Sequence, residues 1–194
     1  MALGASTGGP AALRDLLAEL PAPLPLCVVI VQHIAGGFEF DLADWLGSSL
    51  GLDVRPALDG ESPRPGVVRL APAGAHLRVT DDGRLAVDTK TPKRRGHRPS
   101  VDELFLSLAA AWPHDTAAAL LTGMGTDGAE GLLALRRAGA FCLAQDEESS
   151  AVFGMPHAAI ELGAAELALP PRAIGRELAR RMGAYYLPRD AALG

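Results

Sequence analysis

A chain of 194 residues, 48% of them hydrophobic, is long enough to bury one substantial core and too short for two full domains. Its net charge of −5 argues against a general nucleic-acid binder, which needs a basic surface, and its longest apolar run, Leu24 to Val31, is interrupted by Pro25 and falls well short of the roughly 20 residues that a bilayer-spanning helix requires. No basic segment leads into an apolar stretch behind Met1, so the expectation is a cytoplasmic protein without membrane insertion.

Short apolar or β-branched runs alternate with longer stretches of helical period, the pattern of parallel strands joined by crossover helices. Strands are expected at Ala2 to Gly4, Cys27 to Gln32, Ala117 to Leu121, Ala140 to Ala144 and Glu166 to Leu169. Helices are expected at Pro10 to Leu20, Glu39 to Leu50, Ser100 to Ala111, Gly128 to Ala138, Pro156 to Leu162 and Pro171 to Tyr186. Pro10, Pro156 and Pro171 suit first-turn positions, and Ser100 followed three residues later by Glu103 forms a capping-box pattern. Between Asp53 and Asp88 the runs shorten and are broken by Gly and Pro, with Asp81-Asp82-Gly83 as a hairpin turn, which predicts an antiparallel insertion at the edge of the main sheet. The fold class is therefore α/β: a doubly wound, mainly parallel sheet with helices on both faces and a small antiparallel edge insertion. Cys27 and Cys142 lie in apolar strand-like runs and read as buried hydrophobes.

Gly4-Ala5-Ser6-Thr7-Gly8 satisfies the G-x-S-x-G pattern, with a strand before it and a helix after it. Such a turn presents a serine hydroxyl at the carboxyl edge of the sheet, where the amides opening the next helix can stabilise an oxyanion. The same residues also describe a glycine-rich turn in which Ser6 or Thr7 only caps the helix. Phosphate-binding patterns do not fit: Ser6 takes the place of the second Rossmann glycine, no lysine follows, and the second strand ends in Gln32-His33 rather than in an acidic residue.

A serine needs a base, and histidine has the suitable ordinary pKa. Of the five histidines, His33 directly ends the strongest strand, at the same sheet edge as Ser6, whereas His76, His97, His114 and His157 fall in loops, the insertion or helix ends. An orienting carboxylate is then required. Asp127 follows one strand, in Thr122-Gly123-Met124-Gly125-Thr126-Asp127-Gly128, and Asp146 follows another; the glycines around Asp127 favour it, although a helix-capping role fits its position equally well. No H-E-x-x-H, C-x-x-C or His pair at i, i+4 occurs, so neither a metal nor any other cofactor is expected.

The blocks GASTGGP, Gln32-His33, APAGAHL at Ala71 to Leu77, GHRPSVDELF at Gly96 to Phe105, LLTGMGTDGAEGL at Leu120 to Leu132 and AQDEESSAVFGMPHAAI at Ala144 to Ile160 together resemble, in order, the catalytic domain of CheB-type protein-glutamate methylesterases of bacterial chemotaxis. The resemblance covers nearly the whole chain. It implies Ser6 as nucleophile, His33 as general base and acid, and Asp127 as orienting carboxylate, with Thr7 and the Met124 loop contributing to the oxyanion side. It implies hydrolysis of glutamate γ-methyl esters on methyl-accepting chemoreceptor helices with release of methanol, and deamidation of receptor glutamines. A small-molecule esterase and a catalytically silent interaction domain are the alternatives on the same fold. Residues 1–194 are expected to form one catalytic domain with no receiver domain, regulated by a separate regulatory or receiver protein. Ile34-Ala35-Gly36-Gly37 stands where the family commonly has Met-Pro. The basic segment Lys90 to Arg98 gains an expected role, with Arg94, Arg95 or Arg98 docking acidic receptor helices.

Overall fold

The computed structural model describes residues 1–186, with side chains through Arg181; residues 187–194, assigned above to the same domain, lie outside the described residues. The first half of the chain forms β1 (Ala2–Ala5), α1 (Gly9–Leu17), β2 (Val28–Gln32), α2 (Phe38–Leu50), β3 (Asp53–Pro56), β4 (Val67–Leu70), β5 (His76–Val79) and β6 (Leu85–Asp88). The second half forms α3 (Val101–Ala111), β7 (Ala117–Leu120), α4 (Ala129–Arg137), β8 (Phe141–Gln145), α5 (Met155–Glu161), β9 (Leu167–Leu169) and α6 (Pro171–Tyr186). Seven strands make one sheet in the order β3-β4-β2-β1-β7-β8-β9, every neighbouring pair parallel, and β5 and β6 pair separately as an antiparallel hairpin.

The central strands are apolar on both faces because both faces are covered. Leu3, Ala5, Val28 and Ile30 point to one side, into a core closed by Leu13 and Leu16 of α1, Leu42 and Leu46 of α2, and Ile174 and Leu178 of α6. Ala2, Val29 and Val31 point to the other, against Val101, Leu104 and Phe105 of α3, Leu132 and Leu135 of α4, and Leu77 and Leu85 of the hairpin. Val101 lies so close over β1 that a Cβ on Gly4 would come within 2.3 Å of its Cγ1. The small residue at position 4 therefore lets the first turn of α3 rest on the strand that leads to Ser6.

The segment from Asp53 to Asp88 differs from its sequence reading. Only its second part is antiparallel, with Leu77 opposite Val87 and Val79 opposite Leu85. Asp53–Pro56 and Val67–Leu70 instead extend the main sheet as parallel strands, Val54 beside Val68 and Val68 beside Val28. Parallel neighbours need a crossover, usually a helix. Here the crossover is a loop pinned to β6: Gly60 N donates to Leu85 O at 2.8 Å, Leu85 N to Glu61 O at 2.8 Å, and Val87 N to Asp59 Oδ1 at 2.9 Å. Without a helical period between them, two four-residue strands give no sign of their direction.

Gly8 turns the chain between β1 and α1 at φ 80°, and a Cβ there would stand 2.5 Å from that of Ala151. Gly74 has a similar φ of 76° with nothing within 4 Å. Gly74→Ala is expected to cost about 1–2 kcal/mol from backbone strain alone, and Gly8→Ala about 1–3 kcal/mol more from crowding, read from urea unfolding midpoints.

Candidate active site

Ser6 and His33 each stand one residue beyond the end of a strand, and those strands are neighbours in register, with Ala5 beside Gln32. His33 N donates to Ala5 O at 2.9 Å, and Ser6 N donates to Thr122 O at 2.9 Å. Gln32, 5% exposed, ties the two ends together from below: its Nε2 donates to Ser6 O at 2.7 Å and to His33 O at 2.9 Å. A Cβ on Gly123 would lie 2.6 Å from Cβ of Ser6, so the glycine after Thr122 permits the β7 loop to close on the serine. Ser6 is half-buried, and among the described residues its hydroxyl has no hydrogen-bond partner.

Asp127 reaches the same place from the loop before α4. It is 1% exposed, and its Oδ2 lies 2.8 Å from His33 Nε2. The opening of α3 surrounds the carboxylate: Ser100 Oγ donates to Oδ1 at 2.7 Å, Val101 N to Oδ2 at 2.7 Å, and Asp102 N to Oδ1 at 3.2 Å. A helix N-terminus offers unpaired amides and the positive end of its dipole, which suits a buried anion. Burial alone pushes the Asp127 carboxyl up, but the hydrogen bonds from His33, Ser100 and Val101 prevail and lower its pKa to about 2. An ionised carboxylate has no proton to give, so His33 Nε2 carries the shared proton and Nδ1 keeps the free lone pair. That Nδ1 is buried and has no hydrogen-bond partner among the described residues.

The clasp is reciprocal. Asp102, fully buried in the first turn of α3, accepts from Gly131 N of α4 at 2.7 Å. Burial raises the pKa of this carboxyl, opposed by the Gly131 hydrogen bond. His76 supports the same helix end from below: Ser100 N donates to its Nδ1 at 3.2 Å, while its Nε2 lies 3.0 Å from Pro92 O. Ser100 also caps α3, accepting from Glu103 N at 3.4 Å as the sequence pattern predicts. Its second bond, to Asp127, has no local sequence signature.

Of the remaining candidates, Thr7 is exposed in the turn after Ser6, its carbonyl accepting from Thr122 Oγ1 at 2.9 Å, and Met124 projects from the β7 loop, 69% exposed. Asp146 is engaged elsewhere, accepting from Ser149 N and Oγ within its own turn. The basic loop is less free than its composition suggests. Arg94 pairs with Glu103 and Glu130 at 3.3 Å each, Arg95 with Glu130 at 2.5 Å, and Arg98 donates to Thr89 O and Thr91 O. Arg94 and Arg95 hold the loop to the body, leaving Lys90, Lys93 and Arg98 without ion pairs among the described residues. His97, passed over in the sequence, stacks on His33 with ring centroids 3.9 Å apart. Burial pushes the thiol of Cys142 up to about 12 and also raises that of Cys27, as expected of apolar packing positions.

The profile described as CheB methylesterase matches residues 1–178. The chain belongs to the CheB methylesterase family. It is 48% identical over 178 residues to the protein-glutamate methylesterase/protein-glutamine glutaminase 2 of Pseudomonas syringae pv. syringae (strain B728a), covering 92% of this chain and 53% of that protein. It is 49% identical over 179 residues to the like-named protein of Burkholderia orbicola (strain AU 1054), again covering 92% and 53%. The chain thus spans about half the length of these curated relatives. The crystal structure of the Thermotoga maritima CheB methylesterase catalytic domain matches with a TM-score of 0.88 at 38% identity, covering 93% of this chain and 96% of that one. In this CheB family member no helix among the described residues is long and apolar enough to cross a membrane.

The depressed pKa of Asp127 makes stability depend on pH. The unfolded carboxyl binds a proton below about pH 4 while the folded one resists until about 2, so the stabilisation is present above pH 4 and lost as pH falls through that window. The stability difference between wild type and Asp127→Asn is expected to shrink by roughly 2 kcal/mol between pH 5 and 2, measured by urea unfolding at stepped pH. Ser100→Ala, which removes both a cap and an Asp127 donor, is expected to cost about 1–2 kcal/mol at pH 7 in the same assay.

Proposed function

We propose that this chain is a serine hydrolase that removes methyl groups from glutamate γ-methyl esters on chemoreceptor helices and deamidates receptor glutamines, working in the cytoplasm with Ser6, His33 and Asp127 as its triad. The observation that carries the reading is the 2.8 Å contact of His33 Nε2 with the ionised Asp127, made directly beside the strand-end serine. The curated relatives named for both activities support the substrate class.

In this mechanism Ser6 Oγ attacks the ester carbonyl and passes its proton to His33 Nδ1, while Nε2–H remains bonded to Asp127, whose charge stabilises the imidazolium. The oxyanion is received at the Thr7 amide, with the Met124 loop closing the opposite side and the N-terminus of α1 three residues downstream of Ser6. Collapse breaks the bond to the methoxy oxygen. His33 returns the proton to it, and methanol leaves a glutamyl ester on Ser6. Water then attacks that ester, His33 Nδ1 takes its proton, and the proton returns to Ser6 Oγ as the glutamate is freed. With a glutamine substrate the same steps release ammonia. Docking of an acidic helix falls to Arg98 with Lys90 and Lys93, since Arg94 and Arg95 are neutralised within the protein.

Methanol release from methylated receptor membranes tests the reading. Ser6→Ala is expected to abolish it, and Asp127→Asn to reduce it about 10³- to 10⁴-fold while leaving the fold intact. Asp146→Asn is expected to remain near wild type. Equal release from wild type and Ser6→Ala removes the proposal, and turnover of short soluble esters with none of receptor esters leaves a small-molecule esterase.

A further inference from the structure

His33 is held at its edge by Asp127 and at its face by His97. The two imidazole planes are 3° from parallel with centroids 3.9 Å apart, a stacked contact. His97 sits in the connection between β6 and α3, in a tight turn closed by reciprocal bonds: Arg94 N to His97 O at 3.0 Å and His97 N to Arg94 O at 2.9 Å. Arg95, within that turn, has φ 49°, a backbone state that side-chain-bearing residues seldom adopt.

The turn is anchored where Asp127 is anchored. Arg94 and Arg95 reach Glu130 of α4, Arg94 also reaches Glu103 of α3, and both lie within 4 Å of the buried Asp102 Oδ2, at 3.5 and 3.9 Å. The first turn of α3 supplies the Val101 and Asp102 amides that hold Asp127. One frame, made of the opening turns of α3 and α4, therefore delivers both the carboxylate at the edge of His33 and the ring at its face.

We infer that His97 is a positioning residue of the reaction, its ring face fixing the plane of His33 so that Nε2 stays on Asp127 and Nδ1 stays available as the proton acceptor. The inference rests on the hydrolase reading and deepens it. Burial, then the neighbouring His33, depresses the pKa of His97; Asp127 opposes and Lys93 of its own loop adds to the depression. His97 is thus a neutral ring at working pH, and a neutral π-face beneath His33 attracts the imidazolium that forms in the transition state. Loss of such a wall leaves the imidazole pivoting on a single hydrogen bond.

The test compares wild type with His97→Ala and His97→Phe, each also in a Ser6→Ala background. His97→Ala is expected to lower kcat for methanol release about 10- to 100-fold with KM little changed, and His97→Phe, which restores a flat face without ionising, to recover most of the loss. In the Ser6→Ala background, where no turnover occurs, the hydrogen-bonded Nε2 proton of His33 is expected as a slowly exchanging downfield NMR resonance when His97 is intact and in His97→Phe, and to broaden in His97→Ala. Wild-type kcat together with an unchanged Nε2 resonance in His97→Ala overturns the inference, as does His97→Phe no better than His97→Ala. If the wild type releases no methanol but the resonances separate as stated, the hydrolase reading fails and the clamp on His33 stands.

Discussion

A carboxylate taken out of water must be given donors in return, and Asp127 receives them from the cap and opening turn of a helix that begins 26 residues earlier in the chain. Much of the molecule is arranged around that need. α3 has to start beside the β7 loop, so Val101 presses onto Gly4 and β5 of the antiparallel hairpin packs against the helix. α4 has to start there as well, and its Gly131 amide donates to Asp102 Oδ1 in exchange. The two helix openings and two aspartates form one unit, in which each buried carboxyl group is held by the backbone of the other's helix.

The parallel sheet supplies the remaining constraint. Strands running the same way bring all their carboxyl ends to one edge, and the loops after β1, β2 and β7 meet there because those strands are adjacent. Ser6 and His33 need no long loops to find one another. A buried glutamine beneath them and a glycine beside them are enough to fix their approach.

Much of this was legible in the sequence, for identifiable reasons. Ser6 and His33 end strands of strong apolar character, so their shared edge follows from the alternation of strand and helix. Asp127 stood out against Asp146 through the glycines around it; in the structure Asp127 bonds to His33, and Asp146 is engaged in its own turn. The clasp was hidden because Ser100 already had a sufficient local explanation as a cap. The directions of β3 and β4 were hidden because a hydrogen-bonded loop, which has no period, replaces the helix between them. Arg94 and Arg95 looked like a free basic patch because a run of charge in a loop carries no record of Asp102, Glu103 and Glu130, which face it from other elements. His97 lacked any strand-end placement to single it out.

The orientation of the His33 ring has a mechanical consequence. Nδ1 is bonded to the ring carbon that carries Cβ, so the lone pair sits on a shorter arm than it would at Nε2. The backbones that carry serine and imidazole are spaced as neighbouring strands, about 4.8 Å apart, and are tied by the bond from His33 N to Ala5 O. That separation is as stiff as the sheet's own ladder. Parting the two requires opening the sheet at its centre, between β2 and β1.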